Sequence, residues 1–161
     1  MENPLTTKAQ TVLSDTFNPA VCNALTKAAQ TSDFFAGLLD AFASNKGATI
    51  MLGNTANNPK EGTSVTGKTI TIDSDLLPGS GTEYELSASV FATVLAHELA
   101  HADLPGGISA TASNPDQAVA NGQSSEGVAL TAEYIVAKQL GTCEGQRGQT
   151  ATYNKALNAK R

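Results

Sequence analysis

The chain has 161 residues, a formal net charge of −5 at pH 7 and a sequence pI near 4.9. This acidic balance disfavours nucleic acid and anionic membrane surfaces as partners, because both attract basic proteins. Hydrophobic residues make up 40% and charged residues 16% of the chain, which is typical of a folded domain and too apolar for a disordered one. We therefore expect a single domain over residues 1–161, and no apolar run is long enough to predict membrane insertion.

The N-terminal region, residues 1–17, lacks the basic start and apolar stretch of a secretory signal peptide. The protein is therefore expected to stay in the cytosol or to leave the cell by a route that needs no such signal.

Asn18 is a candidate helix cap, and Pro19 suits the first position of a helix. Together they predict a helix over residues 20–30. Either Thr31 or Ser32 can cap a second helix, in which apolar residues recur at helical spacing. This second helix contains Phe34, Phe35, Leu38, Leu39 and Phe42 and ends at residues 45–47.

The middle of the chain carries signals for strands. Residues 48–52 form a short β-like run, and residues 53–62 are rich in Asn, Gly and Pro, as in a loop. Residues 68–73 alternate isoleucines with polar side chains, which predicts a strand, and residues 77–81 predict a turn.

Two further helices are predicted in the second half of the chain. The first covers residues 86–102. Residues 108–123 are small and polar and predict a long loop, of the kind that is often functional. Ser124 or Ser125 caps the last helix, and Gly141 ends it.

The helix predicted at residues 86–102 contains an HExxH motif, His97-Glu98-Leu99-Ala100-His101, and the chain has no other histidine. Residues four apart share one face of a helix, so both imidazoles can bind one zinc ion from the same side. The side chain of Glu98 lies about 100° round the helix, where its carboxylate can reach a water on the metal as general base. The alternative is a pair of core histidines satisfied by hydrogen bonds.

A catalytic zinc ion needs three protein ligands, and without a further histidine the third must be a carboxylate. Glu126 and Glu133 lie seven residues apart on one face of the last predicted helix. We assign Glu126 as the ligand and Glu133 as a group that orients a histidine or pairs with Arg147, and the reversed assignment stays open. Asp103 is expected to end the HExxH helix or to support a ligand.

The HExxH motif followed by a glutamate on a later helix resembles the gluzincin metallopeptidases. More narrowly, residues 90–154 resemble NleD-like bacterial effector metallopeptidases and the toxic metallopeptidase domains of type VI secretion spike proteins. The residues that carry the resemblance are His97-Glu98-Leu99-Ala100-His101, Glu126, the stretch 132–141, Arg147 and Thr152-Tyr153-Asn154. The resemblance implies a secreted effector or toxin that cleaves proteins, with Tyr153 or Arg147 near the site. Tyr153 is the candidate donor to the oxyanion, with ordinary packing as its alternative.

The expected fold class is α+β, a minimal zincin-like domain with a small sheet packed against the HExxH helix and the downstream glutamate-bearing helix. In zincins an edge strand lines the cleft and pairs with extended substrate. Strand 68–73 is the candidate for this role, with an ordinary sheet strand as the alternative.

The expected function is hydrolysis of peptide bonds by a zinc-activated water, with His97, His101 and Glu126 as ligands of Zn²⁺. Glu98 is the acid/base, and Tyr153 is the second candidate catalytic residue. The expected partners are a protein or peptide substrate and an immunity protein or secretion-apparatus protein. Before export the protein would be cytoplasmic in the producer, and afterwards it would act in the periplasm of a target cell or in host cytosol.

Two other functions remain open from the sequence. The chain could be a toxin or binding module that acts through a partner and uses the zincin core only as a scaffold. It could also be a zinc hydrolase of cell-wall peptide crosslinks. Cys22 and Cys143 are either two buried thiols or one disulfide that joins the first predicted helix to the segment after the last.

Overall fold

The computed structural model describes residues 3–53, 63–66, 69–103, 129 and 132–142. These residues form an α+β fold in which helices pack against a three-stranded sheet. In chain order its elements are α1 (Thr7–Thr16), α2 (Pro19–Thr31), α3 (Asp33–Ser44), β1 (Thr49–Gly53), β2 (Thr63–Thr66), β3 (Thr69–Asp73), a 3-10 turn (Ser74–Leu76) and α4 (Ala88–Asp103). A fifth helix, α5, is described over residues 132–139. One cluster of buried apolar side chains includes residues from all five helices.

The sheet has the strand order β1-β3-β2, in which β1 is parallel and β2 antiparallel to β3. The central strand aligns Ile70 with Ile50 of β1 on one side and with Val65 of β2 on the other. The prediction that strand 68–73 is the cleft-lining edge is therefore wrong, because both sides of β3 are already paired. Lys68 lies outside the described residues.

The predicted helix starts at Asn18 and Ser32 are confirmed. The Asn18 side chain accepts a hydrogen bond from the backbone N–H of Val21 at 2.9 Å, and Pro19 is the first residue of α2. Ser32, rather than Thr31, caps α3 by accepting from the N–H of Phe35 at 3.1 Å. Of the apolar residues predicted to share one face of α3, Phe34 is exposed, and the buried ones are Phe35, Leu38, Leu39 and Phe42.

Helix α1 was not predicted from the sequence. Fully buried side chains in and beside it recur only once per turn, at Leu5, Ala9, Leu13 and Phe17, and apart from Val12 the positions between them are polar. This sparse stripe is the signal that could have identified the helix, since residues four apart share one face. Strand β2 was also missed, because its four residues include only one apolar side chain.

Helix α4 is the centre of the fold. From Val90 to Ala102 every residue is buried except His97 and His101. The helix contacts α2 and α3 as well as strands β2 and β3, so it lies between two layers. Its predicted start at residue 86 is two residues early, because the hydroxyl of Ser87 accepts from the N–H of Val90 at 3.3 Å and caps the helix.

The predicted stop of the last helix at Gly141 is confirmed. Gly141 has φ of +73°, and the N–H groups of Gly141 and Thr142 donate to the carbonyls of Lys138 and Ala137. This is the Schellman pattern of a helix end. One side of this helix is exposed, at Tyr134, Lys138 and Gln139.

Parts of the sequence prediction fall outside the described residues. These are the predicted loops at 53–62 and 108–123, apart from Gly53 in β1, and the serine caps at 124 and 125. The turn predicted at 77–81 is confirmed, with positive φ angles at Gly79 and Gly81. Within the described part of the chain, no helix combines the length and apolarity needed to cross a membrane.

A matched pair of glycine substitutions tests the end of α5. Gly141→Ala should lower the free energy of unfolding by about 1 kcal/mol, because alanine resists the positive φ of a helix end. Gly37→Ala in α3 should instead raise it by up to about 1 kcal/mol, because alanine favours the helix. An added Cβ meets no atom within 4 Å at either position, so the backbone conformation alone separates the two variants. Urea unfolding measures both, and equal effects would contradict the assigned helix end.

Candidate metal centre

The two histidines of the HExxH motif lie together on one face of α4. Their ring centroids are 4.9 Å apart with an interplanar angle of 69°. Both side chains are half-buried, in contrast to the fully buried residues that surround them on the helix. The sequence prediction that His97 and His101 share a face is therefore confirmed, and this face is where α4 is open to solvent.

A carboxylate from α5 contacts the first of these histidines. Oε2 of Glu133 lies 3.0 Å from Nδ1 of His97, and the side chains are 16% exposed for His97 and 22% for Glu133. With 100° per residue, Glu133 lies in the middle of the buried face of α5, between Ala129 and Ala137. Alanines beside the carboxylate let the backbones of α4 and α5 approach closely. The structure thus favours the orienting role that the sequence suggested for Glu133.

The contact fixes which nitrogen of His97 carries its proton. An ionised carboxylate only accepts hydrogen bonds, so Nδ1 of His97 carries the proton and donates to Glu133. In the neutral ring the lone pair is then on Nε2. Carboxylates that hold the second ring nitrogen of a histidine are the usual support of zinc-binding histidines, because they fix the ring and raise its basicity. The contact between His97 and Glu133 is therefore compatible with a zinc site.

Glu98 is buried, with 8% of its surface exposed, on the helix turn that carries His97. A carboxylate in this setting is costly to bury unless polar groups or a cation stabilise it. Its position on α4 is the one that the motif predicts for a general base beside a metal ion. Asp103 is the last residue that the structure describes in α4, so its predicted place at the end of the helix stays a prediction.

The predicted third ligand, Glu126, lies outside the described residues, as do Arg147 and Tyr153. Within the described ranges, no three side chains of His, Cys, Asp or Glu form a group that could hold a metal ion. The structure thus places His97 beside His101 and in contact with Glu133, and it leaves the third ligand and the oxyanion donor as predictions.

Cys22 carries a free thiol that lies 3.4 Å from the carbonyl oxygen of Phe17. Burial raises the pKa of the Cys22 thiol, which lowers its reactivity as a nucleophile. Cys143 lies outside the described residues, and the free thiol of Cys22 favours two separate thiols over the disulfide.

Comparison with known proteins gives no family for this chain. No protein-family model, no curated protein and no solved structure matches it. The candidate centre therefore rests on its own residues and geometry.

Substitution of Glu133 tests its role. Glu133→Ala should weaken zinc binding by about 10- to 100-fold, the usual cost of losing a group that orients a ligand histidine. Glu133→Gln should cost less, because the amide oxygen can still accept from Nδ1 of His97. Competition with a chelating dye measures the affinities, and Glu83→Gln, at an exposed site, is the control. Complete loss of zinc in Glu133→Gln would contradict the orienting role and favour Glu133 as the third ligand.

Proposed function

We propose that this chain is a zinc-dependent metallopeptidase with a zincin-like core, in which His97 and His101 bind the metal. The observation that carries the proposal is the 3.0 Å contact between Oε2 of Glu133 and Nδ1 of His97. It joins an HExxH helix to a downstream helix through the kind of carboxylate support that zinc-binding histidines have. Glu126 is proposed as the third ligand, one of three that a catalytic zinc ion needs from the protein.

Zinc, when bound at such a centre, lowers the pKa of a water ligand to about 7 and polarises the carbonyl under attack. The remaining chemistry belongs to side chains of the chain itself. Glu98 accepts the proton of the attacking water and returns it to the leaving amine. Its burial strengthens electrostatic interactions at the site, because little water is there to screen them. Tyr153 is the proposed donor to the oxyanion.

The sheet supports a place for an extended peptide. Among the described strands, β2 pairs only with β3, so no described strand occupies its other side. Helix α4, which carries the HExxH motif, contacts both β2 and β3. We therefore propose β2, in place of β3, as the strand that binds substrate by adding it to the sheet.

The biological setting is proposed from the resemblance to effector and toxin metallopeptidases. In that setting the chain is exported and cleaves a protein or peptide in a target cell. An immunity protein would then protect the producing cell.

Zinc content tests the metal centre directly. Elemental analysis of the purified protein should give about one zinc per chain, in line with a single catalytic site. His101→Ala should lose the metal, because one of two imidazole ligands is gone, and Glu126→Ala should weaken its binding. A wild-type protein that holds no zinc even after metal is added back would contradict the proposal.

The general base is tested by Glu98→Gln, which removes a negative charge with little change of shape. The variant should keep its zinc and lose peptidase activity by at least about 100-fold, the typical contribution of a general base. Glu83→Gln is the matched control at an exposed position. Cleavage of an unfolded protein substrate, followed by mass spectrometry, is the measurement.

The same variant separates catalysis from binding. A toxin that acts only by binding a partner would keep its biological effect in Glu98→Gln, whereas a peptidase would lose it. Full peptidase activity in Glu98→Gln would rule out the proposed mechanism.

A further inference from the structure

Two polar contacts hold α5 to the rest of the protein within the described residues. Glu133 contacts His97 on α4, and at the end of the helix the side chain of Gln139 contacts Ser32. Six residues separate the two contacts along the helix, a rise of about 9 Å. Between them α5 packs through small or branched apolar side chains, Ala132, Val136 and Ala137.

Ser32 uses all of its hydrogen-bonding groups. Its N–H donates to the carbonyl of Ala28 at the end of α2, and its carbonyl accepts from Ala36 in α3. Its hydroxyl accepts from the N–H of Phe35 and donates to Oε1 of Gln139 at 2.5 Å. Ser32 is 0% exposed, so α5 is anchored to a rigid junction between two helices.

This anchor matters for His97 because the buried side chains of α5 over residues 132–139 are, apart from Val136, alanines. Alanine side chains give few interlocking contacts, so packing alone leaves the helix comparatively free to rotate or slide. Hydrogen bonds depend steeply on distance and angle. With one end of α5 held at Ser32, the direction of the Glu133 carboxylate toward His97 is set.

We propose that Ser32 and Gln139 are positioning residues for the metal centre, acting on His97 through α5 and Glu133. The inference rests on the proposed zinc site. It assigns a role to two residues that lie on other elements than the HExxH helix. Gln139 is exposed, so its substitution removes the anchor without opening the core.

Zinc affinity tests the proposal. Gln139→Ala should weaken zinc binding by about 3- to 10-fold. This is less than the loss expected for Glu133→Ala, because Gln139 acts on His97 only through α5 and Glu133. Lys138→Ala, at the neighbouring exposed position, is the control and should bind zinc like the wild type. In a Glu133→Gln background the effect of Gln139→Ala should shrink, because the two residues act on the same histidine.

A second pair of variants tests the hydroxyl of Ser32, and comparison with Gln139→Ala separates anchoring from helix capping, because Gln139→Ala leaves the cap in place. Ser32→Thr keeps a hydroxyl that can do both and should preserve zinc affinity, whereas Ser32→Ala should weaken it as Gln139→Ala does. An additive loss in the double variant with Glu133→Gln, or no loss in Gln139→Ala, would overturn the proposal while leaving the zinc site itself intact.

A measurement without metal makes the result independent of zinc. In the metal-free protein, the Nδ1 proton of His97 should give a resolved, slowly exchanging NMR signal, since Glu133 accepts it. Gln139→Ala should broaden or remove this signal, and Lys138→Ala should not. An unchanged signal in Gln139→Ala would overturn the positioning role. Absence of zinc binding in the wild type would overturn the proposed function, and the NMR signal would still decide the role of Ser32 and Gln139.

Discussion

Burial of α4 between two layers is the constraint on which the rest of the structure depends. The helix is enclosed from Val90 to Ala102, with His97 and His101 as its only partly exposed positions. Polar groups on such a helix must find partners, because an unsatisfied buried group costs about 1–3 kcal/mol. Glu133 on α5 is such a partner for His97, so the orientation of His97 depends on how α5 packs. The small side chains of α5 follow from the same requirement, since larger ones would hold its carboxylate away from the ring.

Local signals in the sequence were sufficient where short-range chemistry decides the structure. Asn18 and Ser32 cap their helices through hydrogen bonds to residues three positions on, and Gly141 ends α5 with a positive φ. The predicted sharing of one face by His97 and His101 needs only the helical repeat. The support of His97 by Glu133 could be suggested but not decided, because it depends on how two helices distant in sequence approach each other.

Long-range pairing is where the sequence prediction failed. The alternation in β3 predicts a strand but carries no information about its neighbours, and its central place follows from pairing with β1 and β2. Strand β2 has too few apolar residues to show a pattern of its own, so only its pairing with β3 identifies it as a strand. The anchor between Ser32 and Gln139 joins residues that are 107 positions apart, and no local pattern connects them.

Exposure of the histidines helps to separate a metal centre from a pair of core histidines. A core pair would be expected to share the full burial of its neighbours, as Glu98 and Leu99 do. The helix is instead open to solvent at His97 and His101, and hydrolysis needs such an opening for water and substrate. Glu98 and Glu133 also bring two carboxylates to this part of α4, and a divalent cation would offset their charge. A catalytic zinc site combines these features, since it keeps an open coordination position beside a buried carboxylate.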